Sequence, residues 1–214
     1  MGLPEIDEVE MIKNAVFELQ SVIDLPLQID TVDIEAMEQS MRLYNGKPLV
    51  NSVNGKEKNM KEVFPLIKKY GGTLIALTID EDGIPETVEG RMKIAEKIIK
   101  TAAEYGIDKK DIVVDPLAMT ISSDTNSANI TLETVKRLSD MGIKTSLGVS
   151  NISFGLPNRE FVTSTFFAMA LQNGLKCAIM NPYSQEMMKV YYCFNALTNR
   201  RQQPCTEVFF HEAV

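Results

Sequence analysis

Six times along this chain a short β-type run, in most cases rich in apolar residues, is followed by a stretch whose apolar residues recur every three or four positions. The runs lie at 25–30, 48–52, 73–80, 111–116, 144–147 and 176–180, and the periodic stretches at 34–44, 56–70, 85–104, 130–141, 157–172 and 183–196. A further periodic stretch, 5–23, comes before the first run, carrying Ile6, Val9, Ile12, Val16, Leu19 and Ile23. A period near 3.6 predicts helices, and near-continuous apolar runs predict strands buried on both faces. Such strands pair in parallel and need a helical crossover between them, so the order α, then βα six times, specifies an α/β fold. Doubly wound sheets and barrels share this signature. No G-x-G-x-x-G follows a strand, which gives a dinucleotide-binding unit little support. The spacing of the βα units suits a (β/α)8 barrel. Within 56–70, Pro65 is expected to kink the helix or mark a break.

The residues at the carboxyl ends of those runs carry the chemistry. They are Asp30, Asn51, Asp80, Asp115, Asn151 and Asn181. In a barrel these positions ring the mouth where ligands bind. Asp and Asn without His, Lys or Cys have few means of nucleophilic or acid–base work. They are well suited to a flat heterocycle rich in N–H donors and ring nitrogens, since carboxylates accept paired hydrogen bonds and amides both donate and accept. The fifth run delivers the loop Leu147-Gly148-Val149-Ser150-Asn151-Ile152-Ser153-Phe154-Gly155, whose two glycines allow close backbone approach while Ser150 and Asn151 offer neutral polar groups. For Asp80 and Asn181 a plain helix cap is the competing role. A metal held by Asp30, Asp80 and Asp115 lacks any spacing signature, and no metal site is expected.

The totals remove other classes. With 214 residues and a net charge of −7, and no cluster of Lys and Arg longer than a pair, the chain has no broad electrostatic grip for nucleic acid. No apolar run approaches the ~20 residues that span a bilayer. The N-terminus is acidic and lacks the apolar core of a secretory signal. Cys177, Cys193 and Cys205 are isolated from one another, and His211 is the one histidine. A zinc site or disulfide framework is therefore not expected, and a reduced cytoplasm is. His211 reads as an exposed end, and the methionines as core filling. The domain is expected over 1–198, with a loose tail over 199–214.

Gln28-Ile29-Asp30-Thr31, Leu49-Val50-Asn51-Ser52, Leu77-Thr78-Ile79-Asp80-Glu81-Asp82-Gly83-Ile84-Pro85, Val114-Asp115-Pro116-Leu117 and the Gly148 to Pro157 segment follow one another in this order. Together they resemble the pterin-binding methyltransferases: the methyltetrahydrofolate:corrinoid protein methyltransferases and the folate domain of cobalamin-dependent methionine synthase. The resemblance implies a TIM (β/α)8 barrel of the dihydropteroate synthase-like type, with methyltetrahydrofolate or tetrahydrofolate as substrate at its mouth. Asp30, Asn51 and Asp115 match the pterin-recognising positions, and Asp80, Gly148, Ser150 and Arg159 are expected to join them in binding. Asn151 matches the asparagine near N5 and is the expected catalytic residue. The methyl acceptor or donor is implied to be the cobalt of a corrinoid (cobalamin) carried by a partner protein or domain.

The sequence departs from the pattern in two respects. Family members begin with a strand carrying a Gly-Glu-Arg-Ile-Asn-like motif, a helix, and a strand ending Asp-x-Asn-x-Gly. Neither motif precedes Gly2, so six of eight strands are expected here, with exposed strand edges that favour a homodimer or other self-association. Thr163 also stands where the family often has Asn. A non-catalytic pterin-binding fragment is the alternative function. Dihydropteroate synthase fits less well, because it needs basic residues on the last two strands, which here offer Asn151 and Asn181.

Overall fold

In the computed structural model residues 7–199 are described, and the expected order of elements is present throughout them. Helix α1 (Glu8–Val22) is followed by β1 (Gln28–Asp30), α2 (Ile34–Leu43), β2 (Leu49–Asn54), α3 (Glu57–Tyr70), β3 (Thr73–Leu77), α4 (Val88–Glu104) and β4 (Ile112–Asp115). Then come α5 (Ser127–Asp140), β5 (Lys144–Gly148), α6 (Arg159–Gln172), β6 (Cys177–Ile179) and α7 (Gln185–Leu197). The described residues fall into two compact units. One holds those up to Pro116 together with Met141–Lys144, the other Leu117–Asp140 together with those from Thr145 onward. Cys205, His211 and all of the expected tail except Asn199 lie outside the described residues.

In the first unit β1, β2, β3 and β4 pair side by side, each parallel to the next. Val50, Val53, Leu74, Ile75, Ala76, Ile112 and Val114 are buried, as apolar residues of strands covered on both faces require. Met37, Met60, Val63, Phe64, Ile94 and Ile98 supply the buried helix side. Helix α3 runs unbroken through Pro65, contrary to a break there. The proline is followed by Leu66 and Ile67, which are buried with Val63 and Phe64, and that apolar face outweighs the lost N–H.

Several helix starts follow elementary capping. Asp33 accepts from the Ala36 N–H at 2.8 Å, and Thr87 from Gly90 at 3.1 Å. Lys56, at the start of α3, has no side-chain cap. Glu81, from the loop after β3, accepts from the Glu57 N–H at 2.7 Å instead. That bond is the leading reason the Glu81 carboxyl sits below its ordinary pKa, with Lys97 adding to it.

In the second unit β5 and β6 are parallel neighbours. Leu147, Val149, Ile152, Phe166, Phe167, Ala170 and Leu175 form one buried cluster with Leu132 and Val135 of α5. Gly174, at φ 100°, ends the α6 turn where an added Cβ would lie 2.3 Å from Ser139 Oγ. Among the described residues no helix is long and apolar enough to cross a membrane.

Candidate pterin site

Strand β1 begins three residues later than the apolar run suggests and ends with it at Asp30, where the chain leaves into a locked turn. Thr31, 3 % exposed, donates from Oγ1 to Glu8 Oε1 at 2.6 Å and accepts from the Asp33 N–H at 3.1 Å. Asp30 is thereby fixed as the last strand residue, with its side chain exposed. It is in register with Asn51 of β2, and the Thr31 N–H donates to the Asn51 carbonyl at 3.2 Å. Neighbouring strands lie about 4.8 Å apart, so the Asp30 carboxylate and the Asn51 carboxamide stand side by side.

Register then carries the same face across the unit. Asn51 aligns with Ile75 of β3, Ile75 with Val113 of β4, and Asp115 lies two residues past Val113. Side chains alternate with period two, which puts Asp115 on the face of Asn51 and Asp30, about 7 Å farther along the strand direction. Asp115 is 6 % exposed. Its carbonyl accepts from both the Thr78 N–H at 3.1 Å and Thr78 Oγ1 at 3.3 Å. Directly after Asn51 the β2–β3 register shifts, with Val53 opposite Ala76. The bulge ends the even ladder at the residue that offers the amide.

Asp80 stands apart from these three. β3 stops at Leu77, and Asp80 belongs to a turn closed by a bridge to Gly83, its Oδ1 accepting from the Asp82 N–H at 3.0 Å. The cap of α4 is Thr87, so Asp80 is not the helix cap that was the competing role for it. Asn181 likewise closes a turn, accepting from the Tyr183 N–H at 3.0 Å, while Ser184 caps α7.

In the second unit the expected loop after β5 is wound into a 3-10 helix, Val149–Ser153. Gly148 has φ −74°, an ordinary value, and its role is spatial: an added Cβ would lie 3.1 Å from Asn151 Nδ2. Arg159 ties the turn down. Its Nη2 donates to the Ser150 carbonyl at 2.9 Å and its Nε to Ser153 Oγ at 3.3 Å, and the guanidinium lies 5.7 Å from the Phe154 ring centre. Buried Ser153 also shares a hydrogen bond of 2.7 Å with Thr163, the residue that departs from the pattern. A cleft of about 280 Å³ opens here, lined by Ser150, Arg159, Glu160, Thr163, Asn181 and Ser184. Glu160 accepts from Ser184 Oγ at 2.9 Å and so links the starts of α6 and α7.

Of the candidate site residues, Asp30, Asn51, Ser150 and Asn151 are those whose side chains make no hydrogen bond with other described residues. Each is at least partly exposed. Such groups keep their full capacity for a ligand, whereas Asp80 and Arg159 already serve the backbone. A residue the sequence reading missed is Arg91 of α4, 2 % exposed, which donates to the carbonyls of Pro85 and Pro116.

A model of the family described as pterin binding enzyme matches residues 2–181. The chain belongs to that family. The resemblance drawn from the strand-end motifs is thus borne out, and with it the expectation of an enzyme. A methylcorrinoid:tetrahydrofolate methyltransferase from Eubacterium limosum is 32% identical over 199 residues, covering 91% of this chain and 73% of that one. A methionine synthase from Mycobacterium leprae (strain TN) is 32% identical over 177 residues, which are 76% of this chain but 15% of that protein. Among solved structures, Yersinia pestis dihydropteroate synthase with a pterine-sulfa conjugate gives a TM-score of 0.74 at 13% identity, covering 94% of this chain and 79% of the other. The 7,8-dihydropteroate synthase of Vibrio fischeri ES114 gives 0.72 at 15% identity, covering 95% and 79%. These likenesses concern the fold, and they bear out the dihydropteroate synthase-like α/β class of this pterin-binding chain.

Proposed function

We propose that this chain transfers a methyl group between N5 of a reduced folate and the cobalt of a corrinoid carried by another protein or domain. The observation that carries the pterin part is the pairing of Asp30 with Asn51, two ligand-ready side chains in register, with buried Asp115 on the same face. A pterin edge presents adjacent N–H donors and ring nitrogens, which a carboxylate and a carboxamide side by side can satisfy together. Similarity to a methylcorrinoid:tetrahydrofolate methyltransferase supports the choice of reaction.

The chemistry asks little of the protein besides binding and one hydrogen bond. A neutral tertiary amine releases a methyl cation poorly, so N5 must hold a proton in or before the transition state. Asn151 has no useful acidity and cannot supply that proton. Its exposed carboxamide can accept a hydrogen bond from it, stabilising charge where charge develops. The proton itself comes from water. Gly148 leaves room for that carboxamide, and Arg159 holds the turn that presents it. The corrinoid is a substrate brought by its carrier, and the cytoplasm is the compartment expected from the isolated cysteines.

Calorimetric titration with tetrahydrofolate tests the binding half. Asp30→Ala, Asn51→Ala and Asp115→Ala are each expected to lose about 1–3 kcal/mol, the cost of leaving a polar ligand group without its buried partner. Unchanged affinity in all three variants would sink the assignment. Tight folate binding with no transfer in the wild type would favour a pterin-binding chain without catalysis.

A further inference from the structure

We infer that Arg91 is a positioning residue for the pterin, acting through the main chain directly after Asp115; this rests on the folate reading above. Arg91 lies in the first turn of α4 and is among the most deeply buried large side chains, at 2 % exposure. A guanidinium taken out of water is costly unless its donors are matched. Here Nε donates to the Pro85 carbonyl at 3.0 Å and Nη1 to the Pro116 carbonyl at 2.8 Å.

Those two acceptors are not arbitrary. Pro85 closes the loop that leaves β3, and Pro116 is the residue directly after Asp115. The Asp115 carbonyl is already held by Thr78 from the start of that same loop. The peptide on the ligand side of β4 is therefore held at two successive carbonyls, Asp115 by Thr78 and Pro116 by Arg91. Prolines lack an N–H, so neither Pro85 nor Pro116 has a backbone donor of its own to fix the loops. One rigid side chain with two divergent donors links both. Lysine keeps the charge but offers a single point donor on a flexible stem, and cannot hold two carbonyls in a set geometry. The strand-end carboxylate that recognises the pterin is thereby placed by a residue in the helix before its strand, one that need not touch the ligand.

Arg91→Lys, Asp115→Asn and the double variant separate this from a role in folding alone. Each is checked by far-UV circular dichroism and titrated with tetrahydrofolate into the millimolar range. Arg91→Lys is expected to raise Kd about tenfold when Asp115 is present, and less than about twofold in the Asp115→Asn background, the non-additivity of residues acting through one another. An equal penalty in both backgrounds, or no penalty in a folded Arg91→Lys protein, overturns the inference. Arg91→Gln is the second variant; if it and Arg91→Lys both fail to fold, the residue serves the fold and the inference is wrong. A wild-type protein that does not bind tetrahydrofolate overturns the folate reading itself, an outcome distinct from all of these.

Discussion

At the scale of single residues, the proposed reading gives the strand-end and loop groups different parts. In it Asp30 and Asn51 face a ground-state ligand, so their loss is expected to weaken binding. Asn151 is assigned to charge that appears only as N5 becomes protonated. Asn151→Ala is therefore expected to lower the single-turnover rate of methyl transfer by a larger factor than it raises the folate Kd. Equal factors would contradict that role. Gly148→Ala probes the same group from below: its Cβ would lie 3.1 Å from Asn151 Nδ2, so the carboxamide must shift. The rate is expected to fall while tetrahydrofolate affinity stays within about twofold, since small displacements cost rate more than binding. That Asp30, Asn51 and Asp115 share one face was legible from sequence, because each stands at or near the end of a run and the ends of parallel strands share a face; the 3-10 turn that carries Asn151 was not. Neither was Arg91. In a helical pattern a charged residue reads as a solvated position, and its burial depends on where two distant loops bring their carbonyls.

At the scale of elements, the alternation of strand and helix could be read because runs such as 73–80 and 111–116 are near-continuously apolar and periodic stretches lie between them. The boundaries were less legible. β1 ends at Asp30 as its run does, but β3 stops at Leu77, three residues short of its run, where the Asp80 carboxylate closes a turn that competes with the ladder. The start of α3 shows a contact that no local pattern announces, the cap from Glu81 across 24 residues of sequence. Its consequence has a definite sign. The folded Glu81 pKa lies below the ordinary 4.5, so the bond stabilises the protein fully above that value and is lost as pH falls through the depressed one. Glu81→Gln is accordingly expected to lower Tm at pH 7, with the difference from wild type shrinking once the medium is more acid than the folded pKa. A constant difference across that range would show that the carboxylate charge is not what holds the helix start. In the core of the same unit, Leu74→Ala should cost about 2–5 kcal/mol, as the residue is fully buried between layers.

At the scale of the whole molecule, two features bear on assembly and one on function. Within its own unit β1 is paired on one side, to β2, and it is flanked in sequence by Leu25 at 73 % exposure and Val32 at 88 %. In the other unit β6 has β5 as its neighbour and exposes Cys177 and Ile179. An apolar strand edge in water invites another chain. Sedimentation is expected to show concentration-dependent self-association that Leu25→Asp with Val32→Asp weakens, and a monomer at every concentration would refute it. The account as a whole turns on what leaves N5. Methyltetrahydrofolate carrying a labelled methyl group, mixed in a single turnover with the protein and excess cob(I)alamin, gives the direct measurement. The expected result is movement of the label to cobalt, at a rate strongly reduced by Asn151→Ala, while folate stays bound to both proteins. Bound folate whose label never leaves N5 in the wild-type protein would contradict the account.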